Sequence, residues 1–306
     1  MLVFLRVPQL KPILLLITLM ACSIMALAQA DPLKKWNIKP FVGLNKTNFD
    51  WSIAGNSAGK NPNILSELIW IDLKSTGFGI EVRYLLPKNL NLKASSEYYT
   101  ITKGEATDTD YADDNRESVF YSDLLNADKG HLFNSSLQLS YQALTFGKLN
   151  ISPIMGVAYN QQEFQLLESI NNPSTAGLNS TYKVKYRGFD FGTTIGFKNR
   201  LFNLSIEVLG GFYKYGAEAN WNLIPDFEKP VSFIHKANSF KLAGDLNLSV
   251  PINKQLKLEL DYKIHQMKTN SGIDRAFYIN ETPKETLFNG ATLNTNALCL
   301  GLSFSF

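Results

Sequence analysis

Asp108 and Asp110 form the most suggestive chemical pattern in the chain. Two carboxylates two residues apart on an extended strand point to the same side. There they can hold a water molecule and tune each other's proton affinity. Removing that water's proton takes a base, a role that a His beside an Asp can fill. The chain has three histidines: His131 follows Gly130 at the foot of a strand, His235 falls in a loop, and His265 comes near the end of a strand. None has an Asp two residues before it. Asp108, Asp110, Asp113, Asp114 and Glu117 also invite a calcium reading. An EF-hand loop would need Asp or Asn and then Gly after Asp110, but Ala112 and Asp113 stand there, so the run reads as a solvated acidic loop with loose cation binding as the alternative. His265 alternates with Lys263 and Asp261 and has no second His at ligand spacing, which makes it a lumen residue rather than a metal ligand. With no phosphate loop, zinc spacing or nucleophile elbow, no metal and no cofactor are expected.

The elements that must position these groups follow from composition and periodicity. The 306 residues are 45% apolar, 19% charged and 12% aromatic, with 30 basic against 27 acidic residues. Disordered, collagen-like and low-complexity chains are excluded, and the near-balanced charge argues against a nucleic-acid binder. Residues 1–28 read as a secretory signal: Arg6 and Lys11 supply the basic region, Ile13 to Leu27 the apolar stretch, and Ala26-Leu27-Ala28 the cleavage site. Leu19-Met20-Ala21-Cys22 offers a second route, lipidation at Cys22, against the favoured cleavage after Ala28. Residues 29–306 then form the mature domain. Cleavage leaves Cys299 as the sole cysteine, so no intramolecular disulfide is expected.

Alternation with a period of two runs through that domain. Leu298, Leu300, Leu302, Phe304 and Phe306 alternate with Ala297, Cys299, Gly301, Ser303 and Ser305. The same pattern recurs at 78–84, 90–95, 133–141, 202–208, 241–250 and 256–263, around tight turns at 87–89, 146–148, 198–200 and 251–255. Longer polar connections fall near 53–65, 102–130, 166–180, 214–235 and 269–290. The fold class is therefore all-β: a closed antiparallel transmembrane barrel of about ten strands, with short periplasmic turns and long extracellular loops. Its lumen face carries Glu81, Arg83, Lys93, Glu207, Lys241, Asp245, Lys257, Glu259, Asp261 and Lys263. Opposite charges can pair there, and at ten strands the interior fills with side chains, which disfavours an open pore. Trp36, Trp51, Trp70, Tyr98, Tyr99 and Trp221 are expected in interfacial girdles. Trp221 with Tyr213, Tyr215 and Phe227 could instead line a binding groove.

From Leu65 to Asp114 the order of features resembles the omptin family of ten-stranded outer-membrane aspartyl proteases. A strand with Trp70, a second ending in Leu85-Leu86-Pro87, and a third lead into Gly104-Glu105-Ala106-Thr107-Asp108-Thr109-Asp110-Tyr111-Ala112-Asp113. Hairpin order and the aromatic Phe306, similar to a barrel assembly signal, extend the likeness across the mature chain. The resemblance implies that Asp108 and Asp110 would face an Asp-x-His pair, with water between them attacking a peptide. The positions matching that pair are near Ala219 and Trp221, and no Asp-x-His exists in the chain. Phe49 stands where the family carries a substrate-selecting acid, with Asp50 beside it. The family's lipopolysaccharide motif, Tyr-x-Glu-x-Arg, reads Tyr159-Asn160-Gln161-Gln162-Glu163.

Three functions follow as expectations. The leading one is a proteolytically inactive omptin-like barrel in the bacterial outer membrane, a monomer among lipid and lipopolysaccharide. Its loops would bind an extracellular protein or peptide, or stiffen the envelope. The alternatives are a divergent aspartyl endopeptidase using Asp108 and Asp110 with His235 as base, and a small channel.

Overall fold

The computed structural model describes residues 35–169 and 171–306; the expected signal segment and Cys22 lie outside the described residues. Thirteen strands follow one another: β1 (Trp36–Ile53), β2 (Ser66–Leu85), β3 (Leu90–Asp113), β4 (Glu117–Asn126), β5 (Gly130–Tyr141), β6 (Leu144–Phe146), β7 (Leu149–Leu167), β8 (Asn179–Lys198), β9 (Asn203–Asn220), β10 (Phe233–Pro251), β11 (Leu256–Thr269), β12 (Gly272–Ala276) and β13 (Lys284–Ser305). β4 and β5 share one rung between β3 and β7, and β6 extends it; β11 and β12 share the rung between β10 and β13. Thirteen segments thus make ten rungs. β1 pairs antiparallel with both β2 and β13, so the sheet closes on itself. Among the described residues no helix is long and apolar enough to cross a membrane; strands make the crossing, with every ladder hydrogen bond satisfied inside the ring.

Side-chain alternation fixes which face meets lipid. Along β1, Lys39, Phe41, Asn45, Thr47, Phe49 and Trp51 point inward and are buried, while Leu44, Lys46 and Asn48 are exposed. The outward apolar row stops at one level around the ring. Leu44 pairs with Leu298, and the next outward pair is Lys46 with Asn296. Exposed Phe189, Phe212 and Phe240 are likewise followed by outward Arg187, Lys214 and Asn238. That level marks the upper edge of the apolar belt. The tight turns lie below it, and by the usual asymmetry of such barrels the upper end is extracellular. The sheet continues well above the belt. Much of 102–130 is the β3–β4 hairpin rather than a loop, and 269–290 contains β12 and the start of β13. Pairing satisfies both sides of β12 and the inner side of the β3–β4 hairpin, where a loop would leave these backbones to water.

The interior has two fillings. Within the belt, Lys39 Nζ lies 3.1 Å from Asp261, 3.4 Å from Glu259 and 3.7 Å from Glu81, and Asn247 donates to both Glu259 and Asp261. Arg83 meets Glu81 at 2.6 Å, Lys93 meets Glu207 at 2.7 Å, and Lys241–Asp190 and Lys263–Glu97 close at 2.9 Å. Above the belt the filling is aromatic. Phe49 stacks on Phe164 at 4.9 Å and Trp51 on Tyr182 at 5.4 Å; Trp70 packs 5.5 Å from Phe164, and Tyr215 stacks on Phe288 at 5.4 Å.

This layer corrects the girdle expectation for four residues. Trp51, Trp70, Tyr99 and Trp221 are no more than 9% exposed and point into the barrel. Trp36 and Tyr98, at 45% and 38%, face outward as a girdle requires. Nor do Trp221, Tyr213 and Tyr215 line an open groove, since all three are buried.

Two outcomes are expected. Unheated and boiled protein in mild detergent should migrate at different positions on a gel, because the closed sheet keeps its shape until heat opens it; identical migration would contradict closure. Trp70→Ala should cost ~3–5 kcal/mol by leaving a cavity and lower the temperature at which the folded band disappears. Trp36→Ala should shift it far less.

Candidate functional site

Asp108 and Asp110 share the inward side of β3 with buried Ala106. In register, Asp108 lies between Leu68 of β2 and Asp123 of β4, and Asp110 lies between Ser66 and Tyr121. The spacing therefore does bring the two carboxylates to one face, and the fold adds a third, Asp123, which accepts a 2.6 Å hydrogen bond from Asn172. Burial, then the neighbouring charges of Asp110 and Asp123, push the Asp108 carboxyl up to about 8. Burial also raises Asp110, against a lowering hydrogen bond from Ser66. No histidine is among the groups acting on either carboxylate.

The opposite wall holds a base. β3 is the third rung and β10 the eighth of ten, so the two face each other across the lumen. His235 of β10 pairs in register with Ala217 of β9 and Asp274 of β12. Its Nε2 stands 3.1 Å from Asp274 Oδ1, off the hydrogen-bond direction, and its Nδ1 lies 2.6 Å from the Tyr182 hydroxyl. Tyr182 in turn meets the Tyr215 hydroxyl at 2.6 Å, and Thr286 donates to Asp274 Oδ2 at 2.8 Å. The imidazole is sealed, with no exposed surface. Phe288 stacks on it at 4.3 Å and Trp51 meets it edge-on at 4.9 Å. Burial lowers its proton affinity although Asp274 pulls the other way.

An Asp–His pair thus exists that local spacing could not reveal, since its members lie on different strands. It is joined to a tyrosine relay and not to Asp108 or Asp110. Ala219 and Trp221, where the omptin resemblance expects Asp and His, are buried in the same aromatic layer. Ala219 pairs with Tyr182 and Phe233 in register, and the Trp221 ring lies 4.8 Å from Phe233. Phe49 occupies the substrate-selecting position as part of that layer.

The other sequence candidates lie apart. His131 stacks on Tyr98 at 5.5 Å. His265 borders a lumen cavity of about 80 Å³ among Glu97, Lys241, Asp245 and Lys263. Tyr159 donates to Gln161, and its ring is covered at 5.7 Å by Arg187 of β8, so the adjacent strand supplies a cation that the local motif lacks. Among the described residues, no group of three or more His, Cys, Asp or Glu could hold a metal ion.

Comparison with solved structures agrees with this architecture. The outer membrane protease OmpT from Escherichia coli superposes with a TM-score of 0.70 at 12% identity, covering 91% of this chain and 99% of that one. The translocator domain of the autotransporter NalP from Neisseria meningitidis gives 0.41 at 9% identity, with coverages of 94% and 93%. The outer membrane protein OprG from Pseudomonas aeruginosa gives 0.34 at 12%, with 89% and 97%. At 12% identity the likeness to OmpT is one of fold: the chain is built as an omptin-like barrel. A comparison with curated proteins returned no match. A family model described as Protochlamydia outer membrane protein matches residues 40–306. The chain accordingly belongs to the Protochlamydia outer membrane protein family, as an outer-membrane β-barrel.

Proposed function

We propose that the protein is a non-proteolytic surface barrel: its lipid-crossing half anchors it, and its extracellular half presents loops and the β3–β4 hairpin to a partner. The observation that carries this reading is the sealing of His235 and Asp274 within the aromatic layer. A general base must reach the proton it removes, directly or through one water. His235 instead spends Nδ1 on Tyr182 and stacks on Phe288. No histidine is among the groups acting on Asp108 or Asp110, which speaks against a divergent protease with His235 as its base. A through-going channel would have to cross the same aromatic layer.

The outer surface supports a lipid role. Lys185, Arg187, Lys214 and Lys236, with Glu218 3.6 Å from Lys185, border one groove directly above the apolar belt, at the level of phosphate-bearing headgroups. Anionic lipid, lipopolysaccharide included, is the partner proposed for this belt. The single chain closes its own sheet, which fits a monomer.

Refolded protein incubated with dibasic and unbiased peptide libraries should leave them intact. Positioned acid–base catalysis contributes roughly 10²–10⁴-fold, and residues of such a constellation act as a unit, so little above background should remain. Cleavage that disappears in the double variant Asp108→Ala plus Asp110→Ala would overturn the reading.

The raised Asp108 carboxyl gives a pH dependence of definite sign. Between its ordinary 3.8 and about 8, the folded hairpin holds a proton that the unfolded chain releases. Its contribution to stability is fully present below pH 3.8 and lost as pH rises towards 8. Protease nicking of the hairpin should therefore increase over that window. Asp108→Asn should flatten the dependence; an unchanged slope would remove Asp108 as its source.

A further inference from the structure

The β3–β4 hairpin leaves one sheet edge open. β4 pairs along its length with β3, but its other side meets β7 at a single position, Asn126 with Leu167. Closed barrels hide such edges, because unpaired backbone N–H and C=O groups invite another strand. Here the edge stands above the apolar belt and in water. It carries exposed Val119 (56%), Phe120 (63%) and Leu124 (48%). Phe120 is a bulge residue, opposite the step from Asp110 to Tyr111. Between residues 105 and 123 the hairpin has six carboxylates besides the proton-holding Asp108 against one cation, Arg116, and Arg116 is already engaged by Glu67 at 2.7 Å.

We propose that the open edge of β4 docks an extended, cationic polypeptide segment, which adds to the barrel wall as a further strand. The backbone of the incoming segment would take up the unpaired groups of β4. Alternate apolar residues would cover Val119, Phe120 and Leu124, and its Lys or Arg residues would meet the carboxylates. Charge decides the occupant. A second copy would bring one acidic hairpin against another, and an anionic lipid surface would be repelled for the same reason. The proposal deepens the reading of a non-proteolytic, surface-binding barrel and rests on it.

The probe is a short synthetic peptide alternating Lys and Val, titrated into the refolded full-length barrel in detergent, with mass spectrometry of the peptide afterwards. Saturable binding that weakens with added salt is expected. The same peptide with every second amide methylated should bind about tenfold or more weakly, since the lost backbone bonds cannot be replaced. A Glu/Val peptide should not bind. A photoreactive residue in the Lys/Val peptide should cross-link to β4. In Tyr121→Pro and Ser122→Pro, binding should fall in whichever variant removes an amide facing the open edge; where either fails to fold, the methylated peptide decides alone. Equal binding of the methylated peptide, cross-links away from β4, or β4-dependent dimers in place of peptide binding would overturn the docking site. A bound peptide recovered cleaved would instead overturn the non-proteolytic reading.

Discussion

A sheet that closes on itself in lipid has every ladder hydrogen bond satisfied, but it encloses a lumen whose contents the side chains must supply. In this barrel the same inward parity carries Lys39, Asn45, Phe49 and Trp51 up a single strand, and the filling changes along the way. At membrane depth it is ionic: Lys39, Arg83, Lys93, Lys241 and Lys263 each find a carboxylate. Above the lipid it is aromatic. The change of filling governs what each part of the molecule can do.

Each filling suits its surroundings. A buried charge without a partner costs several kcal/mol, and pairing with added hydrogen bonds offsets that cost. Asn247, donating to both Glu259 and Asp261, shows how neutral groups complete the network. The aromatic layer needs no such matching, and ring pairs at these separations add about 0.5–1.5 kcal/mol each beyond their buried area. It turns the extracellular half into a packed core rather than an open cleft. The polar groups caught inside are buried: His235, Tyr182 and Tyr215 form a short relay, with Asp274 beside the imidazole. Catalytic types of residue are therefore present on both walls, with Asp108 and Asp110 on β3 and His235 and Asp274 opposite, but the two sets are not joined.

Much of the fold was legible because a strand's period of two is local. The closing alternation from Ala297 to Phe306, the turns after Leu86 and Phe146, and the charged lumen residues could all be read one segment at a time. Parity also held information that the girdle expectation passed over: Trp51 shares its side with Lys39 and Asn45, whereas Trp36 belongs to the outward set. The site was less legible. The pairing of Asp108 with Asp110 is encoded in their spacing, but their meeting with Asp123 depends on the β3–β4 register. His235 and Asp274 meet only because β12 folds back onto β10. Nothing within a few residues of either announces that contact. The open edge of β4 is equally non-local, since it depends on where β7 stops.

The central claim is that an aromatic core, closed to water, fills the barrel above the membrane. The chain has four tryptophans, of which Trp36 faces outward while Trp51, Trp70 and Trp221 lie in the core. In a folded Trp36→Phe variant, fluorescence therefore reports on the core alone. Emission at short wavelength that aqueous acrylamide does not quench until the protein is unfolded is the predicted result. Emission typical of hydrated indole, quenched in the folded barrel as readily as in the unfolded chain, would contradict it.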